Sequence, residues 1–152
     1  ANSTNNMLAE LLQQMWSQVG VTLVLKPTES GALTTSLNKG EQELCCAGTS
    51  YSLFEAGAGL YNMFHTERMY SGSARSNLSS PEVDKVLDEI NITSDAEKRA
   101  ELVGQAQELI HEESPFIYIA FTKNIIGAGS KVRGFVPTPT AMYDFRTVYF
   151  VE

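Results

Sequence analysis

The side chains that most often carry chemistry are few in this sequence, and what they omit is as informative as what they offer. There are two histidines, His65 and His111. His65 stands beside Glu67 and Arg68, with Glu55 not far upstream, so an imidazole–carboxylate acid–base pair is one reading of that stretch. His111 falls in the last turn of an expected helix, where a positive charge interacts well with the helix dipole. No G-x-S-x-G, glycine-rich phosphate loop or H-E-x-x-H occurs anywhere in the chain. The two cysteines are the neighbours Cys45 and Cys46. On a strand their side chains point to opposite faces, which argues against a mutual disulfide. Without a second Cys pair or a nearby His they read as small, half-buried strand residues. Asp84, Asp88 and Glu89 share a helical stretch with Lys85, and Glu97 and Glu101 flank Lys98 and Arg99; these read as ordinary exposed pairs. The polar run Gly48-Thr49-Ser50-Tyr51-Ser52, followed by Glu55, is different. Hydroxyls, an aromatic ring and a carboxylate gather there, a set suited to holding a polar small molecule rather than to breaking bonds.

That run matters because of the element it follows. Met7 to Val19 carries Leu8, Leu11, Leu12, Met15, Trp16 and Val19 at helical spacing and stops at Gly20. Val21 to Leu25 reads as a strand closed by Pro27, and Ser30 to Asn38 as a short helix. Glu43 to Ala47 is a second short, apolar strand, and the polar run leaves its carboxyl end, where open parallel α/β sheets collect their ligands. A helix is expected over Leu60 to Phe64. Ser80-Pro81 opens another, with Val83, Val86, Leu87 and Ile90 on one face. Ser94 and Glu97 have capping-box spacing before a helix that runs to about Glu112. Ser114-Pro115 ends it, and Phe116 to Phe121 is dense in aromatic and β-branched residues, a third strand. Short strand pieces around Val132 and Phe135, a stiff Pro137-Thr-Pro139-Thr connector and a last strand within Tyr143 to Val151 complete the order. Helices alternating with strands indicate an α/β domain with a mainly parallel sheet. Such domains normally begin with a strand; this order begins with a helix, as a fragment would.

Composition bounds the reading. The chain has 152 residues, 43% hydrophobic, with 18 acidic against 11 basic side chains and a net charge of −7. That suits one globular domain rather than a disordered segment. Scattered basic residues disfavour a nucleic-acid partner, and no apolar run reaches the roughly 20 residues that span a bilayer. Ala1 to Asn6 contains no basic start or apolar stretch, so an export signal has been removed or was never part of this sequence. Asn-x-Ser/Thr triplets at Asn2, Asn77 and Asn91 carry meaning only in a eukaryotic secretory protein.

Five segments, taken in order, resemble one family. Met7 through Leu23 is similar to its helix, glycine, strand opening of the second lobe. Ser79-Ser80-Pro81-Glu82-Val83-Asp84-Lys85-Val86-Leu87 resembles its N-P-E-V-D-x-L-L segment, and Ala96 to Ile110 its D-x-x-x-R-x-x-L…Q-x-x-I helix. Ser114-Pro115-Phe116-Ile117-Tyr118-Ile119 resembles its x-P-x-I-x-L strand, and Val132-Arg133-Gly134-Phe135 its V-x-G-F. The family is that of the peptide- and nickel-binding extracytoplasmic solute-binding proteins of ABC importers. The resemblance implies an α/β lobe of the type II periplasmic-binding-protein kind, with a central mixed or parallel sheet flanked by helices. It makes the chain a C-terminal fragment of a two-lobed clamp that closes over its ligand. Residues 1–136 would form the solute-binding lobe, and 137–152 a connector and strand pairing with the other lobe. The implied role is non-enzymatic: reversible binding of a peptide or similar small polar solute and its delivery to a membrane permease. Nickel chelates, oligosaccharides or a ligand-sensing receptor role are the alternatives. The implied ligand contacts are Gly48, Thr49, Ser50, Tyr51, Glu55, Arg75 and Asn77, with no cofactor and no metal. The implied setting is the periplasm or a cell-surface lipoprotein, as a monomer. Where dipeptide-binding members carry a Trp and an Asp-rich stretch, this sequence has Thr49 and Ser50, and Glu55 is the nearby carboxylate.

Overall fold

The apolar stripes read from the sequence become, among the described residues, five α-helices. The computed structural model describes residues 3–48, 55–71, 76–121, 123, 125–138 and 143–152. In order they form α1 (Ser3–Ser17), α2 (Ser30–Leu37), α3 (Ala56–Phe64), a 3-10 turn (Thr66–Arg68), α4 (Pro81–Ile92), α5 (Ala96–Glu113), β1 (Val132–Arg133) and β2 (Tyr149–Phe150). The chain divides into two compact units. The first holds residues 1–48 and 56–116, the second 49–55 and 117–152.

The core of the first unit is built on α4. Val83, Val86, Leu87 and Ile90 recur at i, i+3, i+4 and i+7 and are all buried. They pack with Phe64 of α3 and with Leu102, Ala106 and Ile110 of α5, and Leu60, Met63, Leu78, Val103 and Phe116 close the edges. The Phe64 and Phe116 rings meet at 5.1 Å between centroids, tilted by 52°. Pro81 starts α4 at the position where a missing N–H costs nothing. The start of α5 differs by one residue from the capping-box expectation. Asp95, not Ser94, is the N-cap, its carboxylate accepting the Lys98 N–H at 2.8 Å. A carboxylate there both fills an orphan donor and faces the positive end of the helix dipole, which a hydroxyl does only in part. Arg99 then reaches back to donate from Nη1 to the carbonyls of Ile90 at 3.0 Å and Thr93 at 3.3 Å, closing the α4 end onto the first turn of α5. Ser114 leaves α5 in the left-handed region, φ 50°, just before Pro115.

Helix α1 forms where its spacing predicts, starting four residues earlier than Met7, but it is not part of this core. Met7, Leu11, Met15 and Val19 are exposed, at 70%, 52%, 53% and 76%. Its Leu8, Leu12 and Trp16 are half-buried, and Gln13 Nε2 donates to Leu23 O at 2.7 Å and Asn5 Nδ2 to Cys46 O at 3.4 Å.

The expected sheet is where observation departs most from expectation. Among the described residues the strand pairing is a two-stranded antiparallel ladder, Val132 opposite Phe150 and Arg133 opposite Tyr149. Residues 21–25, 43–47 and 116–121 carry no strand assignment. Residues 22–25 still alternate in exposure, Leu23 and Leu25 half-buried between the exposed Thr22 and Val24. Strand character in the side chains is therefore present without a ladder among the described residues; a ladder needs two partners, whereas a helix closes its own hydrogen bonds. In the second unit, Phe135, Tyr143 and Phe145 form an aromatic cluster, Phe135 lying 5.4 Å from Tyr143 and 5.9 Å from Phe145 between centroids. Gly134 has φ +74°, and a Cβ there would overlap the Thr147 carbonyl oxygen, so this corner of the ladder requires glycine.

The core assigns unequal weight to neighbouring apolar residues. Leu87→Ala, at a side chain with 0% exposure, is expected to cost about 2–5 kcal/mol of stability. Ile92→Ala, on the same helix but 84% exposed, should stay within about 0.5 kcal/mol. Urea unfolding of the two variants beside the parent measures the contrast, and equal losses would place the core elsewhere.

Candidate functional site

Of the seven residues singled out for ligand contact, Gly48, Glu55 and Asn77 are described; Thr49, Ser50, Tyr51 and Arg75 lie outside the described residues. Gly48 is exposed and ends the extended stretch whose Cys46 carbonyl accepts the Asn5 amide. Glu55, in the second unit, is half-buried and immediately precedes the first residue of α3. Asn77 is exposed, but its neighbour Ser76 is buried at 6% exposure, and Ser76 Oγ donates to Met63 O at 3.0 Å. Asn77 is thus presented from a backbone pinned to the end of α3 by one hydroxyl. Cys45 and Cys46 are both partly buried thiols.

The densest polar constellation among the described residues lies next to that anchor. His65, 8% exposed, stacks on the Tyr61 ring at 4.3 Å between centroids and 23° between planes. Its Nδ1 accepts the Glu67 backbone N–H at 3.2 Å. Its Nε2 faces Asp88 Oδ1 at 3.5 Å and Asp84 Oδ1 at 3.9 Å. Both separations are ion-pair distances too long for a hydrogen bond, and Nε2 is buried without a hydrogen-bond partner. Asp84 Oδ1 also accepts the Thr66 N–H at 2.9 Å. Tyr61 donates from its hydroxyl to Glu67 Oε1 at 2.6 Å, and the Arg68 guanidinium sits 5.6 Å from the Tyr61 ring centroid. Asp88 is exposed, as its sequence suggests, but Asp84 is partly buried, and α4 turns both toward the end of α3. Their i, i+4 spacing one position after the buried Val83 and Leu87 was the available signal, since it sets both on one flank of the core stripe. Glu89 pairs across the helices with Lys98 at 2.9 Å. Helices α4 and α5 also border a shallow groove of about 330 Å³ lined by Glu82, Lys85, Val86, Glu89, Gln105 and Leu109. Among the described residues no group of three or more His, Cys, Asp or Glu side chains is arranged to hold a metal ion. No described helix is long and apolar enough to cross a membrane.

Comparison with known proteins places this arrangement in context. No family model matches the chain. A dipeptide-binding protein of Escherichia coli is 24% identical to it over 147 residues, covering 97% of this chain and 28% of the relative. Along nearly its whole length the chain is similar to proteins named for binding peptides. The glutathione-binding protein GsiB of Pectobacterium atrosepticum is 28% identical over 158 residues, 99% of this chain and 30% of its own length. The peptide transport periplasmic protein SapA of Haemophilus influenzae reaches 40% identity over 77 residues, 51% of this chain and 14% of that protein. These homologues are the kind of protein that the five ordered segments resemble, and they are named as binding and transport proteins. The chain spans less than a third of the length of each.

The Tyr61 hydroxyl offers a direct check on the constellation. Its pKa is pushed up from the ordinary value of 10.0 to about 12, first by the hydrogen bond it donates to Glu67, then by burial and the Glu67 charge. A pKa raised on folding contributes stability that is present below the unfolded value and lost as pH rises through the folded one. The stability difference between the parent and Tyr61→Phe is therefore expected to shrink between pH 10 and about 12. The variant should also lack a tyrosinate absorbance step near pH 12. Identical alkaline titrations would remove the Glu67 bond from the account.

Proposed function

We propose that the chain is a lobe of the substrate-binding component of an ABC importer. In this reading it binds a peptide or similar small polar solute reversibly, outside the cytoplasm, and the loaded protein delivers it to a membrane permease. The observation that carries the reading is similarity along nearly the whole chain to proteins named for dipeptide and glutathione binding. Glutathione is itself a small peptide, so both names point to the same ligand chemistry. The clamp acts as a monomer without chemical turnover, and the intact protein, not the lobe, carries the full affinity.

The finer architecture follows from what the surface leaves uncovered. Residues 116–121 read as a strand dense in aromatic and β-branched residues, yet Ile117, Tyr118, Ile119 and Phe121 are 57%, 61%, 53% and 106% exposed. A run apolar on both faces is the mark of an interior strand in a parallel or mixed sheet covered by helices. We assign residues 21–25, 43–47 and 116–121 to such a central sheet, completed by polypeptide of the intact protein, with the α1 face of Met7, Leu11 and Met15 as one of its covers. Residues 1–136 then belong to the solute-binding lobe, and 137–152 lead to the other one. In this arrangement the ligand lies beyond the carboxyl end of 43–47. Gly48 gives backbone access, Thr49, Ser50, Tyr51 and Asn77 supply hydrogen bonds, and Glu55 and Arg75 supply charge for the termini of a peptide. The position of Asn77 beside the pinned Ser76 supports its inclusion, because a contact residue on an anchored backbone loses little freedom on binding.

Calorimetric titration of the intact protein with di- and tripeptides tests the role. Saturable binding with no change in the ligand is the expected result, and conversion of the ligand without reversible binding would overturn it. The isolated 152-residue chain should bind at least about tenfold more weakly, since half a cleft forgoes the contacts and desolvation of closure. Asn77→Ala in the intact protein should weaken binding by about 1 kcal/mol while leaving unfolding unchanged.

A further inference from the structure

The two nitrogens of His65 have different partners, and that difference makes the residue responsive to protons. Nδ1 accepts the Glu67 N–H at 3.2 Å, so the imidazole is the N-cap of the Thr66–Arg68 turn. A ring nitrogen that accepts carries no hydrogen; the neutral ring therefore keeps its proton on Nε2, the buried nitrogen facing Asp88 and Asp84 at 3.5 and 3.9 Å. Most N-caps are hydroxyls, amides or carboxylates, which accept over the whole range near neutrality. An imidazole accepts only while neutral.

We propose that His65 is an acid-released cap: protonation at Nδ1 withdraws the acceptor from the Glu67 N–H and opens the turn, while the ring is retained by Asp84 and Asp88 of α4. The groups around the ring bear on both halves of this exchange. From α3, the Tyr61 ring stacks on it and keeps its plane. From the turn come the Glu67 carboxylate, held by the Tyr61 hydroxyl, and the Arg68 guanidinium over the Tyr61 ring. From α4 come Asp84, already bonded to the Thr66 N–H at 2.9 Å, and Asp88. The added proton thus costs the turn its cap, and the charged ring keeps two carboxylates on the neighbouring helix. The turn lies directly after α3, whose Met63 carbonyl also holds Ser76. Loosening at His65 is felt at the anchor that presents Asn77, a consequence that rests on the binding role proposed above.

Nitrogen NMR of the chain reads the ring directly, and hydrogen exchange reads the Glu67 amide as a protection factor, corrected for the intrinsic pH dependence of exchange. The expected outcome is an Nε2–H tautomer in the neutral ring. Protection at Glu67 should then fall by about five- to tenfold as the ring signals report protonation, the scale of one lost cap. His65→Asn supplies a cap oxygen that does not titrate and should hold Glu67 protection level across the same range. An Nδ1–H tautomer, constant Glu67 protection in the parent, or the same fall in His65→Asn would each overturn the proposal. Neither readout involves a ligand, so failure here leaves the solute-binding role standing.

Discussion

The burial of one helix face governs how α3, α4 and α5 of the first unit come together. Val83, Leu87 and Ile90 are between 0% and 1% exposed, and they sit between α3 on one side and α5 on the other. Turning that stripe inward fixes the rotation of α4 about its axis, and with it every other residue of the helix. Asp84 and Asp88 are carried to the flank where α3 ends and meet His65 and the Thr66 amide. Glu82, Lys85 and Glu89 are carried to the flank facing α5, where they line a solvated groove. Hydrophobic burial is non-directional, but on a helix it becomes directional, because residues 100° apart cannot face the same way.

The second unit rests on a thinner foundation. A ladder of two residues per strand is marginal in water. It is supported by Phe135, Tyr143 and Phe145, by Thr147 Oγ1 donating to the Gly134 carbonyl at 2.9 Å, and by the Val151 N–H donating to Lys131 O at 2.9 Å. Between the aromatics, Arg146 forks onto Asp144, Nε to Oδ1 at 2.9 Å and Nη2 to Oδ2 at 2.7 Å. That fork holds the Asp144 carboxyl below its usual range, so its contribution is lost as pH falls through the lowered value. The pair is solvent-exposed, and its role is local, shaping the turn rather than securing the fold.

Helices were legible in the sequence to the degree that their signals are local. Helices α4 and α5 were readable nearly to the residue, since a cap, a first-turn proline and a stripe all lie within the element they define. Helix α3 was read short, from Leu60 rather than Ala56, because Gly57 and Gly59 are poor helix formers; both are buried in it. The strands were legible only as side-chain character, since pairing is a property of two segments and the partner is not encoded nearby. The His65 constellation was half visible. Its glutamate lies two residues away, but its aspartates come from another helix, and only the packing of α4 on α3 shows that they meet. Of the candidate ligand contacts, the described ones sit at element edges: Gly48 at the end of an extended stretch, Glu55 before α3 and Asn77 before α4.

The uncovered run from Ile117 to Phe121 also sets an order of events during synthesis. The α4–α5 hairpin is made of contacts between neighbours in the chain and can close as soon as both helices have left the ribosome. It ends at Ser114, and the next residues to emerge are the most adhesive of all, a β-prone apolar stretch with no local element to cover it. For the interval before its distant neighbours arrive, that stretch is an open edge able to pair with the same stretch of another nascent chain. The helical hairpin can thus mature while this apolar stretch is still exposed.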